Sequence, residues 1–251
     1  MLQNITFAFN NYFRAFNFIK TNNLKKYYII PGLINFILMI GFYFFSRYLS
    51  ESVLNLFNKF LGGGANSIIQ LVLQFIVYLL IFGIYYLIYK TLILIILSPF
   101  LSYISERVET TITKKEFNFT LKENLYFIKR GIVVTLKSFL RELFFTGIIL
   151  ILFFIPLINI IVPILLFIVQ SYYIGFSFID YTLERHDYNT GTNIIRKNPL
   201  FFLINGGFFT LFLFIPIVGI FIAPLVTVVA TTTGTLKLIE DEESKKMEEN
   251  L

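Results

Sequence analysis

The sequence predicts an all-α integral membrane protein: two long transmembrane helices, two proline-broken re-entrant (hemi-penetrating) helical hairpins and an amphipathic helical head. Three observations predict it. Of the 251 residues, 57% are hydrophobic and 14% are charged, far from the roughly 45–50% apolar and 25% charged composition of soluble domains. Runs of 23 and 30 apolar-rich residues, 27–49 and 68–97, are long enough for helices across a hydrocarbon core that needs roughly 20 residues. A long apolar stretch also occurs twice, at 143–170 and 201–230, each interrupted by Ile-Pro and by a second proline seven or eight residues later.

At the N-terminus, Leu2, Ile5, Phe9, Phe13 and Phe16 recur at helical spacing with Arg14 and Lys20 among the polar positions. This predicts an interfacial amphipathic helix over 1–26 rather than a cleavable signal peptide, which would need a basic start and a small-residue cleavage site. The first span, 27–49, opens through Pro31, tolerated in a first turn, and closes at Arg47. Ser50–Ser67 reads as a polar connection, and Gly62-Gly63-Gly64 as a linker turn, since no Gly-Lys-Ser/Thr follows it. The second span, 68–97, is longer than the core it crosses and must tilt or project. Lys90 lies within it, either on a functional pathway or snorkelling to the interface.

Residues 98–142 form the polar head, with eight Lys/Arg. Leu101, Ile104, Val108 and Ile112 mark one amphipathic helix. A second starts at the capping box Thr120-x-x-Glu123, carries the stripe Leu121, Leu125, Ile128, Ile132, Leu136, Phe139 and Leu143, and runs into the first arm of the first hairpin. The arms Leu143–Ile155 and Phe201–Ile215 have 13 and 15 residues, roughly 20 Å of helix, too short to cross. Pro156, Pro163, Pro216 and Pro224 are the expected breaks, each removing a helical hydrogen bond. The alternative is a pair of kinked full spans. Charge placement bears on the choice: re-entrant hairpins put 18 Lys/Arg on one side against two, full crossings 15 against five. The positive-inside rule prefers the first and tolerates the second. Residues 171–200 leave the membrane, and 240–251 read as a flexible acidic-basic tail.

The absent chemistry matters as much. Zero cysteines exclude disulfides and thiolate sites. The lone His186 reads as a structural or exposed loop residue. No metalloprotease, nucleophile-elbow or nucleotide motif is present, so no catalytic residue, metal or cofactor is expected. The net charge of +6 fits topology and anionic lipid rather than nucleic acid.

The chain resembles the CysZ-type bacterial sulfate permeases, grouped with the etoposide-induced membrane proteins, over nearly its whole length. The matching pieces are Ile30-Pro31-Gly32-Leu33-Ile34-Asn35; Ser98-Pro99-Phe100 with Glu106, Val108 and Glu109; and Asp180-Tyr181 with Glu184-Arg185-His186. Ile155-Pro156-Leu157-Ile158-Asn159 and Ile215-Pro216-Ile217 complete the set. The resemblance implies two long transmembrane helices, two hemi-penetrating hairpins, a helical head and a homo-oligomer. It also implies a multi-pass protein of the bacterial inner membrane that admits sulfate or a similar anion for cysteine synthesis without ATP hydrolysis. Antiparallel subunits are described in the family, whereas the 18-to-two bias argues for one orientation of this chain.

By the same resemblance the anion site is a Gly-Leu-Arg loop before the first span, which falls on Asn23, Leu24 and Lys25, followed by Lys26. Free N–H groups at a helix start plus cations attract a dianion. Lysine offers a point charge rather than a planar fork, and Asn23 is more restricted than glycine, so affinity or specificity for sulfate is where this chain departs. The alternative for Lys25 and Lys26 is an anchor to lipid phosphates. Asn35 either lines a pathway or bonds a neighbouring helix. Glu106 and Arg107 fall on polar positions of the family's inner region, and Glu106 on an anion route would need Arg107 or Lys90 as partner, unless it is a solvated ion pair on the head. Two rivals from other classes remain: a hairpin wedge or scaffold that shapes membranes and transports nothing, and a lipid-handling protein.

Overall fold

The computed structural model describes residues 2–60, 67–117, 119–215 and 218–249, and every regular element among them is helical. They are α1 (Leu2–Thr21), a 3-10 turn (Leu24–Tyr28), α2 (Ile29–Phe60), α3 (Ser67–Thr113), α4 (Leu121–Leu152), a 3-10 turn (Ile158–Ile160), α5 (Val162–Leu183), α6 (Tyr188–Lys197), α7 (Pro199–Leu213) and α8 (Val218–Glu249). Four segments are long and apolar enough to cross a membrane: Leu24–Val53, Thr91–Thr113, Ile158–Leu183 and Phe221–Glu248. The all-α membrane fold is therefore as the sequence predicts.

Several boundaries differ. α2 continues helical to Phe60, through the expected polar connection, with an Arg47–Glu51 pair one turn apart at 3.2 Å. The three glycines lie outside the described residues. α3 is a single helix of 47 residues, about 70 Å long. It absorbs the expected first head helix and carries Pro99 inside it. Pro99 removes one backbone bond, but Leu97 and Leu101 on either side are fully buried, and their packing holds the helix together. The tail expected to be flexible instead continues α8 to Glu249, and Lys197 pairs with Glu242 at 2.7 Å.

The chain divides into two compact units, Leu33–Leu94 and Met1–Gly32 with Ile95–Leu251. In the first, Phe42 and Tyr85 stack with centroids 3.4 Å apart. The hydroxyl of Tyr89 donates to Asn35 Oδ1, so Asn35 bonds the neighbouring helix. An apolar cavity of about 410 Å³ is lined by Ile37, Gly41, Phe45, Ile81, Tyr85 and Ile88, among others.

The larger unit is built around α5. α5 and α7 cross where Gly175 meets Gly206: a Cβ on Gly175 would overlap the Phe202 carbonyl, and one on Gly206 the Ser171 carbonyl. Small residues at a crossing let helices pack by close backbone contact where the hydrophobic effect between helices is weak. Ala8, Tyr12, Ala15 and Ile19 bury one face of α1, while Ile5, Phe9, Phe13 and Phe16 face outward. Tyr12 donates to Asn205 O at 2.9 Å and to Thr227 Oγ1 at 2.8 Å.

The two Ile-Pro stretches are helix–turn–helix pairs. α4 starts at the expected capping box on Thr120 and ends at Leu152; Pro156 lies in the turn, Leu157 takes φ 73°, and Pro163 opens α5. Arg130 meets Asp180 and Phe145 stacks on Tyr173, so α4 and α5 run antiparallel. The apolar stripe of α4 is exposed at Leu121 (84%), Leu125 (66%), Leu136 and Leu143 and half-buried at Ile128, Ile132 and Phe139. Gly131, Thr135, Ser138, Glu142, Thr146 and Ile149 bury the neighbouring face, about a quarter-turn round the helix. In the second pair α7 ends at Leu213 and α8 starts at Val218. Pro216 lies outside the described residues. Pro224 is inside α8 and is not a break: its flanks Ala223 and Leu225 are fully buried, and packing on both sides keeps the helix intact. The close return is made by Gly219, where a Cβ would overlap the Phe212 carbonyl.

Candidate functional site

The segment before α2 is shaped by one backbone conformation. α1 ends at Thr21, and Asn23 then adopts φ 55°, ψ 32°, the left-handed region open to glycine and, among other residues, chiefly to Asn and Asp. Asn23 thus makes the turn a glycine would make. Leu24, 2% exposed, anchors the segment in the core. Lys25 and Lys26 remain exposed.

The 3-10 turn then places Tyr27 against α3. Tyr27 and Tyr103 bring their hydroxyls to 3.3 Å. Arg107 Nη1 donates to Tyr27 Oη at 3.2 Å and to Tyr103 Oη at 3.0 Å. Lys26 Nζ lies 5.3 Å and Arg107 Cζ 5.9 Å from the centroid of the Tyr27 ring, both within cation–π range. Two cations far apart in sequence therefore share one aromatic ring. Of the predicted site residues, the structure brings these two together. Asn35 is held by Tyr89, and the side chain of Lys90 lies outside the described residues.

Glu106 does not pair with Arg107 as expected, because the two phenols take the guanidinium. Glu106 instead lines two adjoining polar clefts. One, of about 440 Å³, includes Ser102, Tyr103, Phe117 and Asn124; the other, of about 400 Å³, includes Arg107, Thr110, Thr111 and Glu116.

Behind these clefts lies a buried ionic network that the sequence reading did not assemble. Arg185 and Glu109 have side chains 1% and 3% exposed, with Nη2 and Oε2 2.8 Å apart. Arg185 also donates to Ser105 Oγ and to the Tyr181 carbonyl, both at 2.7 Å. His186 Nε2 sits 2.9 Å from Glu109 Oε1. Ser102 donates to Glu184, Arg130 bonds both oxygens of Asp180, and Thr232 donates to Ser105 at 2.9 Å. Three carboxylates face two guanidiniums, an imbalance that one proton removes. Burial pushes the Glu184 carboxyl up to about 7, against the Ser102 hydrogen bond and Arg185, which favour its charged form. The signal in the sequence was the charged run Glu184-Arg185-His186 at the end of an otherwise apolar helix. His186 joins this network, the structural one of the two readings its sequence allows.

The sequence matches the family described as sulfate transporter CysZ/etoposide-induced protein 2.4 over residues 11–224. The chain belongs to that family, and the match covers Ile155-Pro156, Ile215-Pro216, the 23–26 segment and the charged residues of the ionic network.

Proposed function

We propose that this member of the family is a permease for sulfate or a related small inorganic anion, feeding sulfur assimilation and driven by the anion's own gradient. The observation that carries the reading is the family match over residues 11–224, because that family is described as a sulfate transporter. The geometry is compatible: exposed cations stand where α1 turns into the first span, the place at which an anion leaves water. Asn23, Leu24, Lys25 and Lys26 form the binding segment. Glu106 and Arg107 lie along the pathway, where a carboxylate such as Glu106 would keep anion binding weak enough for release.

The architecture belongs to the same proposal. The two helix–turn–helix pairs are re-entrant and return to the side they enter, as the positive-inside count favours. The protein acts as a homo-oligomer in contact with lipid in a bacterial inner membrane. It performs no covalent chemistry. A second reading, lipid handling, draws on the apolar cavity within Leu33–Leu94. Sulfate uptake by proteoliposomes separates the two: uptake above empty vesicles supports the permease, and its absence supports the lipid reading.

A further inference from the structure

We propose that Arg107 is the two-pronged ligand for a tetrahedral oxyanion at this site, supplying from α3 the planar fork that Lys25 and Lys26 cannot. The inference rests on the permease reading for its physiological ligand, but its geometry stands alone. A guanidinium carries five N–H donors in a rigid fork. In Arg107 the Nη1 group is occupied by the oxygens of Tyr27 and Tyr103, at 3.2 and 3.0 Å. The edge formed by Nε–H and Nη2–H has no bond among the described residues, and it is the edge that meets two oxygens of a carboxylate, sulfate or phosphate side by side. The two phenols fix the plane of the guanidinium in advance, so an arriving anion orders little.

Charge points the same way. Lys26 stands over the same Tyr27 ring at 5.3 Å, giving two positive groups around one aromatic plate. The carboxylates of Glu106 and Glu116 share the adjoining cleft with Arg107 and oppose deeper entry of a dianion. Asn23, in its left-handed conformation, sets where Lys26 emerges. Tyr27 and Tyr103 are positioning residues that act through Arg107. The same chemistry recognises free sulfate and the phosphate of an anionic lipid, and the experiment separates them.

The full chain, purified in detergent, is assayed for binding of radiolabelled sulfate, and in nanodiscs for phosphatidylglycerol against phosphatidylcholine. Arg107→Ala is expected to weaken oxyanion binding at least tenfold. Arg107→Lys keeps the charge but loses the fork, and is expected to weaken it several-fold. The double variant Tyr27→Phe/Tyr103→Phe keeps every charge and is expected to match Arg107→Lys. All should melt like wild type, since Arg107 is exposed. A loss confined to phosphatidylglycerol makes the clamp a headgroup site and removes free sulfate as its ligand. Wild-type binding in both assays by Arg107→Ala and Arg107→Lys overturns the proposal, as does wild-type protein that binds neither ligand. Sulfate flux that persists unchanged in Arg107→Ala removes the clamp from the transport route and leaves the permease; sulfate binding without flux removes the permease and leaves the clamp.

Discussion

At the scale of single residues, the most consequential side chain is Arg185. It is nearly fully buried and neutralises Glu109 while also contacting Glu184. Removing one member of a buried ion pair strands the other charge, at about 3–5 kcal/mol. Arg185→Ala should therefore lower the thermal midpoint steeply or abolish monodisperse elution in detergent, whereas Lys115→Ala, at an exposed position, should leave both unchanged. Glu184 gives a pH signature. Its carboxyl titrates at about 7 in the fold rather than at the usual 4.5. The proton it holds stabilises the fold fully below the ordinary value, and that contribution fades as pH rises to about 7, by up to roughly 3 kcal/mol. Thermal midpoints measured from about pH 5 to about pH 8 should fall in wild type, and the fall should be shallower in Glu184→Gln. An equal slope in both would show that another group carries the effect.

At the scale of elements, the glycine crossing of α5 and α7 is the tightest joint in the larger unit. Gly206→Ala places a methyl into the Ser171 carbonyl, and forcing that space open should cost about 1–3 kcal/mol or more. Gly147 in α4 has open space around it, so Gly147→Ala should be neutral or stabilise slightly through helix propensity. Thermal melts of the pair in one detergent compare them directly. Helix α4 also shows what a periodicity conveys. Its stripe of Leu121, Leu125 and Leu136 fixed the helix and its start, yet that stripe faces outward and the small and polar face is buried. Period is a property of the chain, but which face packs depends on whether water or lipid lies outside, and the pattern is silent on that. Pro224 misled in a related way: a proline marks a lost hydrogen bond, and packing on both sides decides whether the helix ends, as it also does at Pro99 inside α3.

At the scale of the whole molecule, composition and span length made the membrane fold legible, and the doubled Ile-Pro made the first helix–turn–helix pair legible down to Pro156 and Pro163. The candidate site was half legible. Lys26 and Arg107 were each recognisable in the sequence, but their meeting on Tyr27 is tertiary. The ionic network joins α3 to the end of α5, across 76 residues between Glu109 and Arg185, and no local pattern announces it. That network also qualifies the charge count, because Arg130 and Arg185 serve buried carboxylates and speak less to topology than a free lysine does. Topology has its own measurement. Single cysteines at the exposed positions Lys115 and Arg196 should be labelled from the same face if the α4–α5 pair is re-entrant, and labelling from opposite faces would make it a true span. The central claim is transport. Radiolabelled sulfate flux into proteoliposomes should exceed that of empty vesicles for wild type and fall at least tenfold in Lys25→Ala/Lys26→Ala; wild-type flux no greater than that of empty vesicles would contradict the account.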